Sequence, residues 1–128
     1  MRKLGLLACL CLVPLTHSCL AVAGLTVGAA GAVGYVYYDK NEAHRDFDAT
    51  FDKTWKAALA ALQELKYTLP AEREHAADSG VLTLDDLKVH VARHPGDMTR
   101  VSVRVGTFDS EEHRRRAGLI LEKIAGEL

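Results

Sequence analysis

Residues 87–106 read LKVHVARHPGDMTRVSVRVG, and their alternation decides the fold. Leu87, Val89 and Val91 recur at every second position, as do Val101, Val103 and Val105, with Lys88, His90, Arg100, Ser102 and Arg104 between them. A period of two sends each set to one face of a strand, so one face is apolar and the other wet and basic. The HPGD stretch, residues 94–97, puts Pro and Gly between the two runs and predicts a loop joining antiparallel strands. A sheet with one greasy face must bury that face against something.

The cover is found on either side. Upstream, residues 48–66 (DATFDKTWKAALAALQELK) carry Phe51, Trp55, Ala58, Leu59, Leu62 and Leu65, stepping by three and four onto one helical stripe. Asp48 or Thr50 caps this helix, Asp52 suits the dipole of its first turn, and the run predicts helix from about 50 to about 66. Trp55, the single tryptophan, lies in the middle of the stripe and reads as a core residue. Downstream, residues 108–128 (FDSEEHRRRAGLILEKIAGEL) place Ala117, Ile120, Leu121, Ile124 and Leu128 on a second stripe. Asp109 or Ser110 with Glu112 reads as a capping box, and the helix is expected from about 111 to about 126.

Weaker signals complete the sheet. Residues 41–48 (NEAHRDFD) read as a polar strand with Ala43, Arg45 and Phe47 on one face. Tyr67 to Glu74 reads as an edge or bulged strand, because Pro70 cannot donate to a ladder. A turn at AADSG (76–80) follows, and VLTLDD (81–86) forms a hairpin with the Leu87 strand, turning near Asp85 and Asp86. Two striped helices and a one-faced sheet have one simple arrangement: an α+β two-layer sandwich. Both helices lie on one face of an antiparallel sheet of four to five strands, in the order β-α-β-β-β-β-α.

The amino-terminal third obeys different rules. No Asp, Glu, Lys or Arg occurs between Lys3 and Asp39. Arg2 and Lys3 form a positive n-region, and Leu4 to Leu15 is an apolar h-region of the length expected of an export signal, roughly 7 to 15 residues. Pro14 breaks the helix, and small Ser18 stands directly before Cys19. This arrangement resembles the lipobox of bacterial lipoprotein precursors, in which the cysteine thiol is alkylated by diacylglycerol and becomes residue one. Thr16 and His17 depart from the usual residues there, and an ordinary secretory signal or an uncleaved anchor is the competing reading. All three cysteines lie at or before position 19, so the remainder has no disulfide to rely on. Loss of residues 1–18 removes Arg2 and Lys3 and no acid, which leaves 14 basic residues against 17 acidic ones.

The domain reading is therefore 1–18 signal peptide, 19–38 acylated cysteine and Gly/Ala-rich membrane-proximal tether, and 39–128 soluble α+β domain. A competing reading makes 20–38 a transmembrane helix, since 19 residues at about 1.5 Å rise reach about 28 Å. Gly24 and Gly28 have GxxxG spacing, and Tyr35, Tyr37 and Tyr38 would sit at the interface. Small residues dominate the segment, which favours the tether.

Taken together, the Cys-terminated signal, the Gly/Ala tract, residues 47–65 and residues 99–124 resemble a family of short bacterial envelope lipoproteins known as domain of unknown function 3568. The most specific pieces are the Asp-x-x-Trp-x-Ala step at Asp52, Trp55 and Ala57, and the run Thr99, Val101, Val103, Arg104, Val105, Gly106. Where such proteins often continue with Gly-Asp, this chain has Asp109 and Ser110 after Phe108. The resemblance implies an anchored periplasmic domain and supplies no activity.

Residue chemistry narrows the function further. A formal charge of −1 argues against a nucleic-acid binder. His90 and His94, four apart on a strand, are separated by roughly 13 Å, too far for one metal. His44, His75 and His113 read as isolated surface histidines, and Asp85 with Asp86 as turn chemistry. The cysteine-free domain has neither a nucleophile elbow nor a phosphate-binding glycine loop, so no catalytic residue, metal site or cofactor is expected. The basic run His113 to Arg116 reads as a solvated helix side beside Glu111 and Glu112.

The expectation is a non-catalytic, lipid-anchored interaction or structural module. Its anchor is membrane lipid on acylated Cys19, and its partner-binding face for an unidentified envelope protein is Lys88, His90, Arg100 and Arg104. It would face the periplasm; Leu20 after the cysteine resembles outer-membrane sorting in some bacteria. The alternative is a small-ligand carrier or enzyme with a pocket between sheet and helices.

Overall fold

The computed structural model describes residues 32–71 and 73–128. Cys19, the signal-peptide reading of 1–18 and the first part of the tether lie outside the described residues. The elements are β1 (Ala32–Asp39), β2 (Glu42–Phe47), α1 (Phe51–Glu64), β3 (Glu74–His75), β4 (Ser79–Leu84), β5 (Leu87–His94), β6 (Met98–Val105) and α2 (Glu111–Gly126). All pairings are antiparallel, and the strands stand in the order β1-β2-β6-β5-β4-β3.

The α+β two-layer sandwich is thus present, with six strands where four to five are expected. The added strand is β1, formed by the last residues of the predicted tether and by Asp39. It folds back on β2 through Lys40 and Asn41, both at positive φ (44° and 69°). A transmembrane helix over 20–38 is incompatible with this strand. Residues 20–31 of that reading lie outside the described residues.

Valine alternation in β5 and β6 builds the core as the period of two requires. Val89, Val91, Val101 and Val103 are fully buried, and across β2 the same layer continues through Ala43 and Phe47. Both helices press their stripes onto this face: Ala58, Ala61 and Leu62 from α1, and Ile120, Leu121 and Ile124 from α2, are all essentially sealed from solvent. Among the described residues the core, fully or partly buried, runs from Val36 to Leu128.

Trp55 is a core residue, as its stripe predicts. Its ring stacks on Phe51 at 6.0 Å, meets the His75 ring at 5.1 Å, and lies over Gly80 of β4. A Cβ at Gly80 would stand 2.5 Å from the indole, so only glycine lets strand and ring approach this closely.

The helix ends explain two differences from the sequence reading. Thr50 is the cap of α1, its Oγ1 accepting from the Lys53 amide. At the other end Lys66 adopts φ 66°, and the Tyr67 amide donates to the Leu62 carbonyl while that of Lys66 donates to Gln63. This is a Schellman closure with lysine in the glycine position. It turns the chain away from the sheet, and Pro70 then offers no ladder donor, so the strand predicted over 67–74 shrinks to Glu74–His75. In α2, Ser110 caps by accepting from His113, which puts His113 at the third helical position. The Asp109–Glu112 capping box therefore does not form; Asp109 pairs with Arg114 instead.

The open face of the sheet as a candidate functional site

Because both helices cover one face, the other face of the sheet carries the outward set of every strand. Register aligns these side chains in rows across the strands. One row runs Tyr37, His44, Ser102, His90, Val81, and a second runs Asp39, Glu42, Arg104, Lys88, Thr83. Asp46 and Arg100 begin a third, continued by Ala92. The four residues read from sequence as a partner-binding face, Lys88, His90, Arg100 and Arg104, all lie on this one surface.

The structure divides those four. Arg100 is engaged: its Nε and Nη2 donate to the two Asp46 carboxylate oxygens at 2.7 and 2.8 Å, and Nη2 also donates to His94 Nε2 at 3.1 Å. The same guanidinium lies 5.6 Å from the centroid of Tyr37. Lys88 and Arg104, by contrast, sit directly opposite one another as like charges, and neither has an acidic partner within salt-bridge distance among the described residues. With His90, Ser102, Glu42 and Val81 they line a shallow depression of about 260 Å³.

The Asp46 carboxyl is held below the ordinary carboxylate range, chiefly by the hydrogen bonds from Arg100, and partial burial opposes this. Its folded pKa is therefore lower than its unfolded one. The stabilisation is present above the unfolded value of about 3.9 and disappears as pH falls through the folded value. Asp46→Asn should cost about 1 kcal/mol near neutrality and make the loss of stability below about pH 4 shallower. Urea midpoints measured across that pH range check this; an unchanged acid slope would contradict it.

Sequence reasoning missed this pair, because nothing local announces that β2 lies beside β6. His44 also differs from the isolated surface histidine expected. It is half-buried, its Nδ1 lies 2.7 Å from Ser102 Oγ, Glu42 stands 3.9 Å from Nε2, and Tyr37 stacks on it at 4.9 Å. His75 belongs to the Phe51–Trp55 aromatic cluster, and His113 Nδ1 bonds the Phe108 carbonyl oxygen at 2.8 Å. Among the described residues no group of three or more His, Cys, Asp or Glu is placed to hold a metal ion.

A larger concavity lies elsewhere. An open cleft of about 780 Å³ lies at one end of the sandwich, between the Lys66–Pro70 loop and the β4–β5 turn. Arg116 in its wall is already satisfied, donating to Tyr67 Oη at 2.7 Å and to Asp86 at 2.6 and 3.1 Å. Those bonds hold Asp86 below the ordinary carboxylate range and raise Arg116. Arg116, Tyr67 and Asp86 in this cleft are thus paired with one another.

A family model described as "Protein of unknown function (DUF3568)" matches residues 3–125. No curated protein matches the chain at a significant level.

Proposed function

The chain belongs to the DUF3568 family, and from that premise we infer that it is a lipid-anchored bacterial envelope lipoprotein acting as a non-catalytic, periplasm-facing interaction module. Cys19 carries the acyl chains, residues 1–18 are removed, and the domain stays beside the membrane, the outer one by the Leu20 reading. Acylation is an effective anchor because burial of each methylene contributes about 0.8 kcal/mol and two or more chains bind stably. The observation that carries the interaction reading is the one-sided placement of the helices. It leaves an open sheet face on which Lys88 and Arg104 stand side by side, with no salt bridge to either among the described residues. Such a pair is unfavourable in isolation and becomes favourable when a partner supplies anionic groups.

Two measurements test the two parts. Wild-type protein should incorporate labelled palmitate and fractionate with membranes, whereas Cys19→Ala should lose the label and most of the membrane-bound pool. Quantitative retention of the alanine form would refute the anchor. A photocrosslinker at His90 should capture a discrete envelope adduct, and the double change Lys88→Glu and Arg104→Glu should abolish it. An adduct indifferent to that charge reversal would refute the docking face.

A further inference from the structure

The β1 edge has a chemistry distinct from the open face. From Ala32 to Tyr38 it holds no charged residue, and Tyr35, Tyr37 and Tyr38 are 93%, 42% and 45% exposed. The rim is nevertheless held in place from both sides. Arg100 lies over the Tyr37 ring on the open face, and Arg114 of α2 lies 5.9 Å from the Tyr38 centroid on the helix face. Tyr38 Oη donates to the Arg114 carbonyl at 3.1 Å, and Gly118 leaves room for that hydroxyl. Each arginine keeps its own acid, Asp46 and Asp109, so the rim is close to neutral.

We propose that this tyrosine rim is the edge of the domain that rests on the lipid surface, a deepening that rests on the anchored reading above. Twelve residues separate Cys19 from Ala32, so β1 begins at most about 45 Å of chain from the anchor. The opposite edge, β3, stands five strand spacings away, about 24 Å further. Tyrosine favours the membrane–water boundary because its ring is apolar and its hydroxyl wet. An added strand from another protein is the less fitting occupant. The register of β1 shifts between Val33 and Tyr37, and such a bulge interrupts the regular row of backbone groups that strand addition requires. Since the rim is neutral, its lipid contact depends on the rings and not on headgroup charge.

Residues 20–128 contain no cysteine and retain every core residue of the described structure, which allows a test independent of acylation. This chain, joined by an amino-terminal histidine tag to phosphatidylcholine vesicles bearing a nickel-chelating lipid, is labelled with an environment-sensitive fluorophore at Tyr35→Cys or at Ala77→Cys. Both positions are exposed, and Ala77 marks the β3 edge. Spin-labelled lipid should quench the label at 35 several-fold more than that at 77, with no change on adding salt. Equal quenching at the two positions would overturn the proposal. So would protection of the label at 35 that grows with protein concentration without vesicles, which would assign the rim to a second copy. Since the tether is artificial, neither result depends on whether Cys19 is acylated in cells.

Discussion

Replacing Phe47 by alanine should destabilise the domain by about 3–5 kcal/mol, the range for removing an aromatic ring from a closed core. Phe47 is fully buried at the end of β2, where the strand hands over to α1. Its neighbour in β6, Thr99, is also buried and donates to the Ala49 carbonyl at 2.7 Å, fixing the turn into the helix. The Arg45 guanidinium lies 5.7 Å from the ring, so the deletion leaves a void beside a charged group. For a domain near a hundred residues this corresponds to a fall of more than about 10 °C in Tm. Urea denaturation followed by circular dichroism checks it, and a loss under about 1 kcal/mol would mean that the site collapses around the change.

Gly80→Ala should cost about 1–3 kcal/mol, the usual penalty for overpacking. Three indole carbons of Trp55 lie within 2.9 Å of the new methyl position, and Phe51 and His75 flank the ring. A double-mutant cycle separates this clash from a change in strand propensity. Trp55→Phe alone removes buried volume, but in the Gly80→Ala background it also makes space, so the two changes should couple by about 1 kcal/mol or more in the compensating direction. Strict additivity would place the cost of Gly80→Ala elsewhere.

What the sequence makes legible here is whatever a short period encodes. The valines at 89, 91, 101 and 103 and the stripes through Leu62 and Leu121 are local patterns with one geometric solution each, and the core is built from them. Turns with unusual residues are less legible. The β1–β2 hairpin closes on Lys40 and Asn41 at positive φ, a conformation ordinarily marked by Asn-Gly, so its signal is faint. Lys66, in a place where glycine is the usual sign, hides the closure that ends α1 and shortens β3. On the candidate site, the basic side chains of β5 and β6 could be assigned to one face from alternation alone. The partners across β2, Asp46 for Arg100 and His44 for Ser102, could not, because that contact depends on which distant strand fills the neighbouring place.

That placement also governs the order of events in folding. Arg100 and Asp46 meet across 54 positions of chain, and β2 has no neighbour other than β1 until β6 emerges. A two-stranded ribbon is at best marginally stable in water, so the first hairpin keeps Ala43 and Phe47 uncovered until β6 pairs with it. Closure of the sheet is consequently a late, non-local step, and the loop entropy it must overcome makes this domain a slow folder for its size.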